Sequence, residues 1–208
     1  MTQDESPAMK QVAALFVETG GVYFGLPGID PWDETRDARR YDGPNPVVAH
    51  PPCSRWGQMA PVNQARYGQR IGDDGGCFSS ALDAVRKFGG VLEHPAVSIA
   101  WRTFGLPSPP TVGGWVKTMC GGWTCQVEQR QYGHRARKAT WLYAVTDSPP
   151  SLRWGRGAPP EVWISSDRPR AELAALGIGQ MQKKEARATP PEFRDVLIAI
   201  ARTAGASS

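Results

Sequence analysis

The chain has 208 residues, 40% hydrophobic and 21% charged, enough for one globular domain with its own core. Its net charge of +4, from 24 Lys and Arg against 20 Asp and Glu, admits a nucleic-acid partner without requiring one. No apolar run approaches the roughly 20 residues of a membrane-spanning helix, and the N-terminus lacks a signal-peptide pattern, so a cytoplasmic protein without a membrane partner is expected. In that setting Cys53, Cys77, Cys120 and Cys125 read as free thiols rather than a disulfide framework. Cys120 and Cys125 lack the second half-site that a metal would need, and no metal is expected.

Residues 1–9 read as a flexible tail. Gln11 to Val17 (QVAALFV) is a buried strand that ends in a tight turn, Glu18-Thr19-Gly20-Gly21, the usual opening of a nucleotide-binding α/β unit. Residues 22–45 are rich in Gly, Pro and Asp, with room for a short helical stretch from Glu34 to Tyr41. A second strand, 46–50, runs into Pro51-Pro52-Cys53. Two prolines cannot continue a strand ladder, so the chain turns there and sets a cysteine just past the strand end. Residues 54–74 are polar, basic and glycine-punctuated, which predicts a long mobile loop. Phe78, Ala81, Leu82, Val85 and Phe88 form a helical stripe closed by Gly89-Gly90. Strand 91–93 follows at once, parallel to strand 46–50 through a right-handed crossover. A Gly/Pro/Trp-rich connection covers 96–121. Strands 123–127 and 139–145 flank a basic turn, and residues 146–170 read as loop. A helical stretch at 171–176 precedes a final helix that opens at Thr189-Pro190-Pro191-Glu192, with Thr189 as N-cap, and buries Phe193, Val196, Leu197, Ile200 and Ala201.

Three motifs stand in order: Pro52-Cys53 after a strand, Glu93-His94-Pro95 at the end of another, and Tyr132-Gly133-His134-Arg135-Ala136-Arg137-Lys138 before a third. In this order, over about residues 12–145, the chain resembles the DNA cytosine-C5 methyltransferase family. That family carries a Pro-Cys catalytic motif, a Glu-Asn-Val strand end and an Arg-x-Arg turn. Leu15 to Gly21 resembles its opening turn for S-adenosylmethionine, with Glu18 standing where the family has its first glycine. The resemblance implies an α/β fold with a truncated Rossmann-like, methyltransferase-type sheet, long loops and a C-terminal helix. The catalytic domain would span residues 10–148, and a loop-rich segment with the helix, 149–208, would pack on it.

By the same resemblance, Cys53 is the nucleophile at base C6, Glu93 the partner of N3, and Arg135 and Arg137 the groups that hold the base or its phosphate. The chemistry suits these residue types. A thiolate is strongly nucleophilic, its addition at C6 makes C5 able to attack an electrophile, and a carboxyl raised in pKa by burial can take up the charge at N3. Substrate contacts are expected from Pro52, His50, Arg55, Trp56, His94, His134 and Lys138, and cofactor contacts from Phe16, Glu18, Gly20 and Gly21. The partner is DNA, with the base flipped or single-stranded, or a pyrimidine nucleotide. The small size suggests a phage or mobile-element gene. Two other readings stay open: a pyrimidine-modifying enzyme that uses no methyl donor, and a non-catalytic nucleic-acid-binding relative. For each residue there is also a packing role, a small buried thiol for Cys53 and a solvated turn for Arg135 and Arg137.

Overall fold

The structure, a computed structural model, describes residues 9–164, 169–177 and 179–205. The expected tail lies, but for Met9, outside the described residues. Seven strands form one mixed sheet: β1 (Val12–Leu15), β2 (Ile29–Trp32), β3 (Val47–Ala49), β4 (Gly90–Pro95), β5 (Val116–Lys117), β6 (Trp123–Glu128) and β7 (Ala139–Val145). Their spatial order is β2-β1-β3-β4-β7-β6-β5. The first four are parallel neighbours, whereas β7 is antiparallel to both β4 and β6, and β5 is antiparallel to β6. This is the α/β, Rossmann-like sheet with a C-terminal helix that the sequence predicts.

Alternation along each strand divides the core into two layers. Ala13, Leu15, Val47, Ala49, Leu92, Trp141 and Tyr143 face α2 (Cys77–Phe88) and the short α3 (Ile99–Thr103). Val12, Ala14, Val48, Val91, Leu142 and Ala144 face the final helix, α6 (Pro191–Arg202). Phe78, Leu82 and Val85 of α2, and Phe193, Leu197 and Ile200 of α6, are buried against these faces. Each such side chain contributes about 1.5–3 kcal/mol relative to an exposed one. Asp74 starts α2: its carboxylate accepts the amides of Gly76 (3.0 Å) and Phe78 (2.9 Å). Gly89 ends the helix by donating to the Val85 carbonyl at 3.0 Å. Gly90 then brings β4 against β3 so closely that a Cβ there would lie 2.0 Å from the Val47 carbonyl oxygen.

The structure departs from the sequence reading where elements rest on local capping rather than an apolar face. The predicted loop 54–74 contains a helix, α1 (Ala60–Tyr67), with Pro61 in its first turn and Gly68 as a left-handed cap donating to Gln64 at 3.0 Å. Only Ala60 of α1 is buried, so its sequence carries no amphipathic period. Strand β2 was hidden by Asp30 and Pro31; it is an edge strand, where a proline is tolerated. The stretch from Glu34 to Tyr41 yields one 3₁₀ turn, Ala38–Arg40. Helix α3 is capped by Ser98, whose Oγ accepts the Ala100 amide at 3.1 Å. Short helices α4 (Arg170–Ala175) and α5 (Lys183–Arg187) lead to α6, whose cap position is Pro190 rather than Thr189.

Candidate active site

Strand order reverses between β1 and β3, because β2 lies on one side of β1 and β3 on the other. In open α/β sheets the crevice beyond the carboxyl ends at such a point is where ligands bind. The chain delivers three segments there: Phe16–Gly21 after β1, His50–Cys53 after β3, and Glu93–Pro95 at the end of β4. Because β7 is antiparallel to β4, the turn before it, residues 129–138, arrives at the same edge.

A chain of buried hydrogen bonds runs through this edge. Tyr23 Oη lies 2.8 Å from His50 Nε2, and His50 Nδ1 lies 3.0 Å from Glu93 Oε2. Gln129 Nε2 donates to Glu93 Oε1 at 3.1 Å and to Thr140 Oγ1 at 2.9 Å. Burial raises the Tyr23 pKa well above its ordinary value, so the hydroxyl keeps its proton. That hydroxyl donates to Nε2, which leaves Nδ1–H to donate to Glu93. The Glu93 carboxyl corrects an expectation. Burial pushes its pKa up, but the hydrogen bond from His50 and the electrostatic pull of the His50 ring, the Lys138 side chain and the His94 ring outweigh it and bring it down to about 2. Glu93 is therefore a carboxylate hydrogen-bonded to His50.

Cys53 is half-buried beside this pair. Burial and the Glu93 carboxylate raise its pKa, while Lys138 and Arg187 oppose them, and the net effect is a protonated thiol at neutral pH. Lys138 is held in place by two carbonyls at the end of α5, those of Arg187 (3.3 Å) and Ala188 (3.2 Å). Burial lowers its pKa, and the charges of Glu93 and Cys53 oppose that shift.

Cys53, Glu93, His50 and Lys138 thus come together, whereas other candidate residues go elsewhere. His94 points to the opposite sheet face, between Phe78 and Trp101 at ring distances of 5.2 and 6.3 Å. It is fully buried, and neither ring nitrogen has a hydrogen-bond partner, although the Pro52 carbonyl lies near its ring. Burial brings its pKa down to about 4, so it is neutral at pH 7. Trp56 is a core residue, with Nε1 donating to Asp74 at 2.7 Å and its ring against Phe78 and Phe104. Pro52 is exposed beside Cys53, and Arg55 is half-buried with one guanidinium nitrogen, Nη1, buried and unpartnered. His134 is buried inside its own turn, with Nδ1 2.8 Å from the Ala136 carbonyl. Arg135 is exposed and paired with Glu161 (3.2 Å) and Glu185 (3.0 Å), and Arg137 lines a separate cleft. Neither arginine joins Cys53, because both side chains leave the turn on sides other than that of Lys138.

The turn after β1 is shaped by its own contacts. Phe16 adopts φ 59° and Gly20 φ 66°. Gly21 lies so near the preceding backbone that a Cβ would be 2.8 Å from the Glu18 carbonyl oxygen. The exposed Glu18 carboxylate faces Lys184 at 3.6 Å. Asp33, just past β2, accepts from Thr19 Oγ1 at 2.7 Å, and from the Thr35 hydroxyl (2.6 Å) and amide (3.1 Å). These bonds lower its pKa and commit it to bracing the turn. Asp30 is likewise engaged, by Arg36 and Trp32. Both carboxylates, Asp30 in β2 and Asp33 just past it, are thus engaged by neighbouring side chains. Among the described residues no group of three or more His, Cys, Asp or Glu is placed to hold a metal ion.

Tyr23, Gln129 and Thr140 escaped the sequence reading. Tyr23 lies in a glycine-rich stretch without periodicity, and Gln129 and Thr140 are ordinary polar residues until the β6–β7 pairing sets them beside Glu93. No protein-family model matches the chain, and no curated protein matches it.

Proposed function

We propose that the chain is a pyrimidine-modifying enzyme acting on DNA, with Cys53 as a nucleophile that adds to C6 of the base. The observation that carries this reading is the convergence of Cys53, the Glu93–His50 pair and Lys138 at the crevice where the strand order reverses. The Glu93 carboxylate takes the thiol proton and Sγ⁻ bonds to C6; the C5–C6 π pair shifts toward C4 and N3 and makes C5 nucleophilic. Lys138 stabilises the thiolate that forms. As negative charge gathers at N3, Glu93 passes that proton to N3 and takes it back when the C6–S bond breaks. The Tyr23 and Gln129 hydrogen bonds hold His50 and Glu93 in the orientation this requires.

Such an intermediate accepts a one-carbon group at C5, or it accepts a proton there, which leads to exchange of the C5 hydrogen and opens C4 to hydrolytic deamination. The engagement of Asp33 by Thr19 and Thr35 favours the donor-free branch. Deuterium uptake at C5 of cytosine oligonucleotides in D₂O, read by mass spectrometry, tests the nucleophile without any added donor. Uptake that disappears in Cys53→Ala is expected. Equal uptake in that variant, or no uptake and no deamination product across cytosine and uracil oligonucleotides, would sink the proposal. Titration calorimetry should show no micromolar binding of S-adenosylmethionine; tight binding would restore the donor-dependent branch.

A further inference from the structure

The molecule holds a second concave surface apart from the crevice beside Cys53. It is a cleft of about 1020 Å³ at the other side of the same sheet edge, between strands β6 and β7 and the loops that hold residues 111–112 and 155–163. Arg137, Arg156, Trp163, Gln126, Glu128 and Thr111 line it. Around this end of the molecule other arginines are paired: Arg130 and Arg135 with Glu161, Arg135 also with Glu185, and Arg153 with Glu192. Arg137 and Arg156 have no acidic partner among the described residues, and both face the cleft. The one carboxylate in its wall, Glu128, is largely buried and accepts the Lys138 backbone amide.

We infer that this cleft binds the sugar–phosphate backbone of a single nucleic-acid strand, with Arg137 and Arg156 each holding a phosphate and Trp163 supplying aromatic surface in the wall. Guanidinium groups left without carboxylate partners at a concave surface suit a polyanion, because their planar forks bind phosphate oxygens in pairs. A strand fits better than a free nucleotide because two separate cations line an open cleft, which matches the repeated charge of a backbone rather than one phosphate cluster. The cleft and the Cys53 crevice share one piece of chain. Arg137 turns into the cleft, while the next residue, Lys138, turns toward Cys53 and Glu93. Ala139 lines the cleft, and its carbonyl accepts the Ala96 amide at 2.9 Å, just past Glu93-His94-Pro95. A strand seated on the two arginines would therefore be held by the same turn whose next residue faces the reactive thiol. This names the partner of the proposed base-modifying site and rests on that reading for its purpose, though not for the binding itself.

The test is fluorescence anisotropy of the full chain with a labelled 12-residue cytosine oligonucleotide across a salt series. It compares the natural sequence with Arg156→Ala, Arg137→Ala/Arg156→Ala and Arg135→Ala. The double variant should bind at least about tenfold more weakly, and its salt slope should fall by about 1.4, two single-strand phosphates at roughly 0.7 each. Arg135→Ala removes the same charge outside the cleft and should change affinity less than threefold. A double variant that binds like the natural protein, an Arg135→Ala loss as large as that of the double variant, or no oligonucleotide binding at all would overturn the inference. So would competition by deoxycytidine monophosphate at the same concentration as the oligonucleotide, which would mark a nucleotide site. Matching thermal melts show that the variants are folded. Binding that depends on the two arginines without Cys53-dependent exchange sinks only the enzymatic reading; exchange without arginine-dependent binding sinks only this one.

Discussion

Glu93 and Lys138 exert opposite fields on one thiol. The carboxylate raises the Cys53 pKa and the ammonium lowers it, on top of the burial that raises it most. Substituting the two neighbours should therefore move thiol reactivity in opposite directions. Glu93→Gln keeps a hydrogen-bonding shape but loses the charge, so alkylation of Cys53 by iodoacetamide at pH 8 should quicken by a few-fold, while base modification is lost. Lys138→Met should slow alkylation. Because the thiol is protonated at neutral pH, the natural protein's alkylation rate should keep rising with pH beyond the ordinary thiol range. Parallel changes in both variants, read by mass spectrometry of the modified peptide, would contradict the geometry. At this scale the sequence gives away Cys53, His50 and Glu93, because each ends or follows a recognisable strand. It gives away the wrong protonation state for Glu93, since burial is visible as an apolar run but the His50 partner comes from another strand 43 positions away.

Among the elements, β3 and β4 carry the site, and their spacing depends on Gly90. Its φ of 114° and the 2.0 Å that a Cβ would leave to the Val47 carbonyl oxygen forbid a side chain there. Gly90→Ala should cost at least about 3 kcal/mol, from backbone strain and from prising the two strands apart, and urea unfolding measures it. A loss under 1 kcal/mol would show that the strands tolerate separation. On the other face α6 covers β1, β3 and β4. Phe193 is fully buried and packs against Tyr132 at 5.4 Å. Phe193→Ala should therefore destabilise by about 3–5 kcal/mol. Helices α2 and α6 were legible because their apolar stripes are what hold them on the sheet. Helix α1 was not legible, since it shows the sequence almost nothing but a proline and a terminal glycine. Strand β2 was not legible either, since its existence depends on pairing with β1 rather than on its own residues.

For the molecule as a whole, acid should act through two buried groups in separate ranges. His94 is protonated in the unfolded chain below pH 6.5 but in the native state only near 4, so the unfolded state takes up the extra proton in that window. Stability should fall by about 3 kcal/mol as pH drops from 6.5 to 4, and no further on account of His94. Glu93, held at about 2 in the fold against 4.5, extends the loss from pH 4.5 downward. Replacing His94 with Phe should flatten the upper window in urea titrations and leave the lower one; an unchanged slope would refute the assignment. The apolar alternation and the glycine and proline breaks determined the α/β class, the parallel β3–α2–β4 unit and the terminal helix, because these are local periodicities that only one packing satisfies. Tertiary structure alone decided which side chains meet. The turn before β7 sends Lys138 toward Cys53, Arg135 to solvent and Arg137 into a second cleft, a division set by where β7 pairs with β4 and β6 and by which acidic residues wait on each side. One-dimensional spacing cannot carry that information, since three cations within four residues look alike until the sheet gives each a different neighbour.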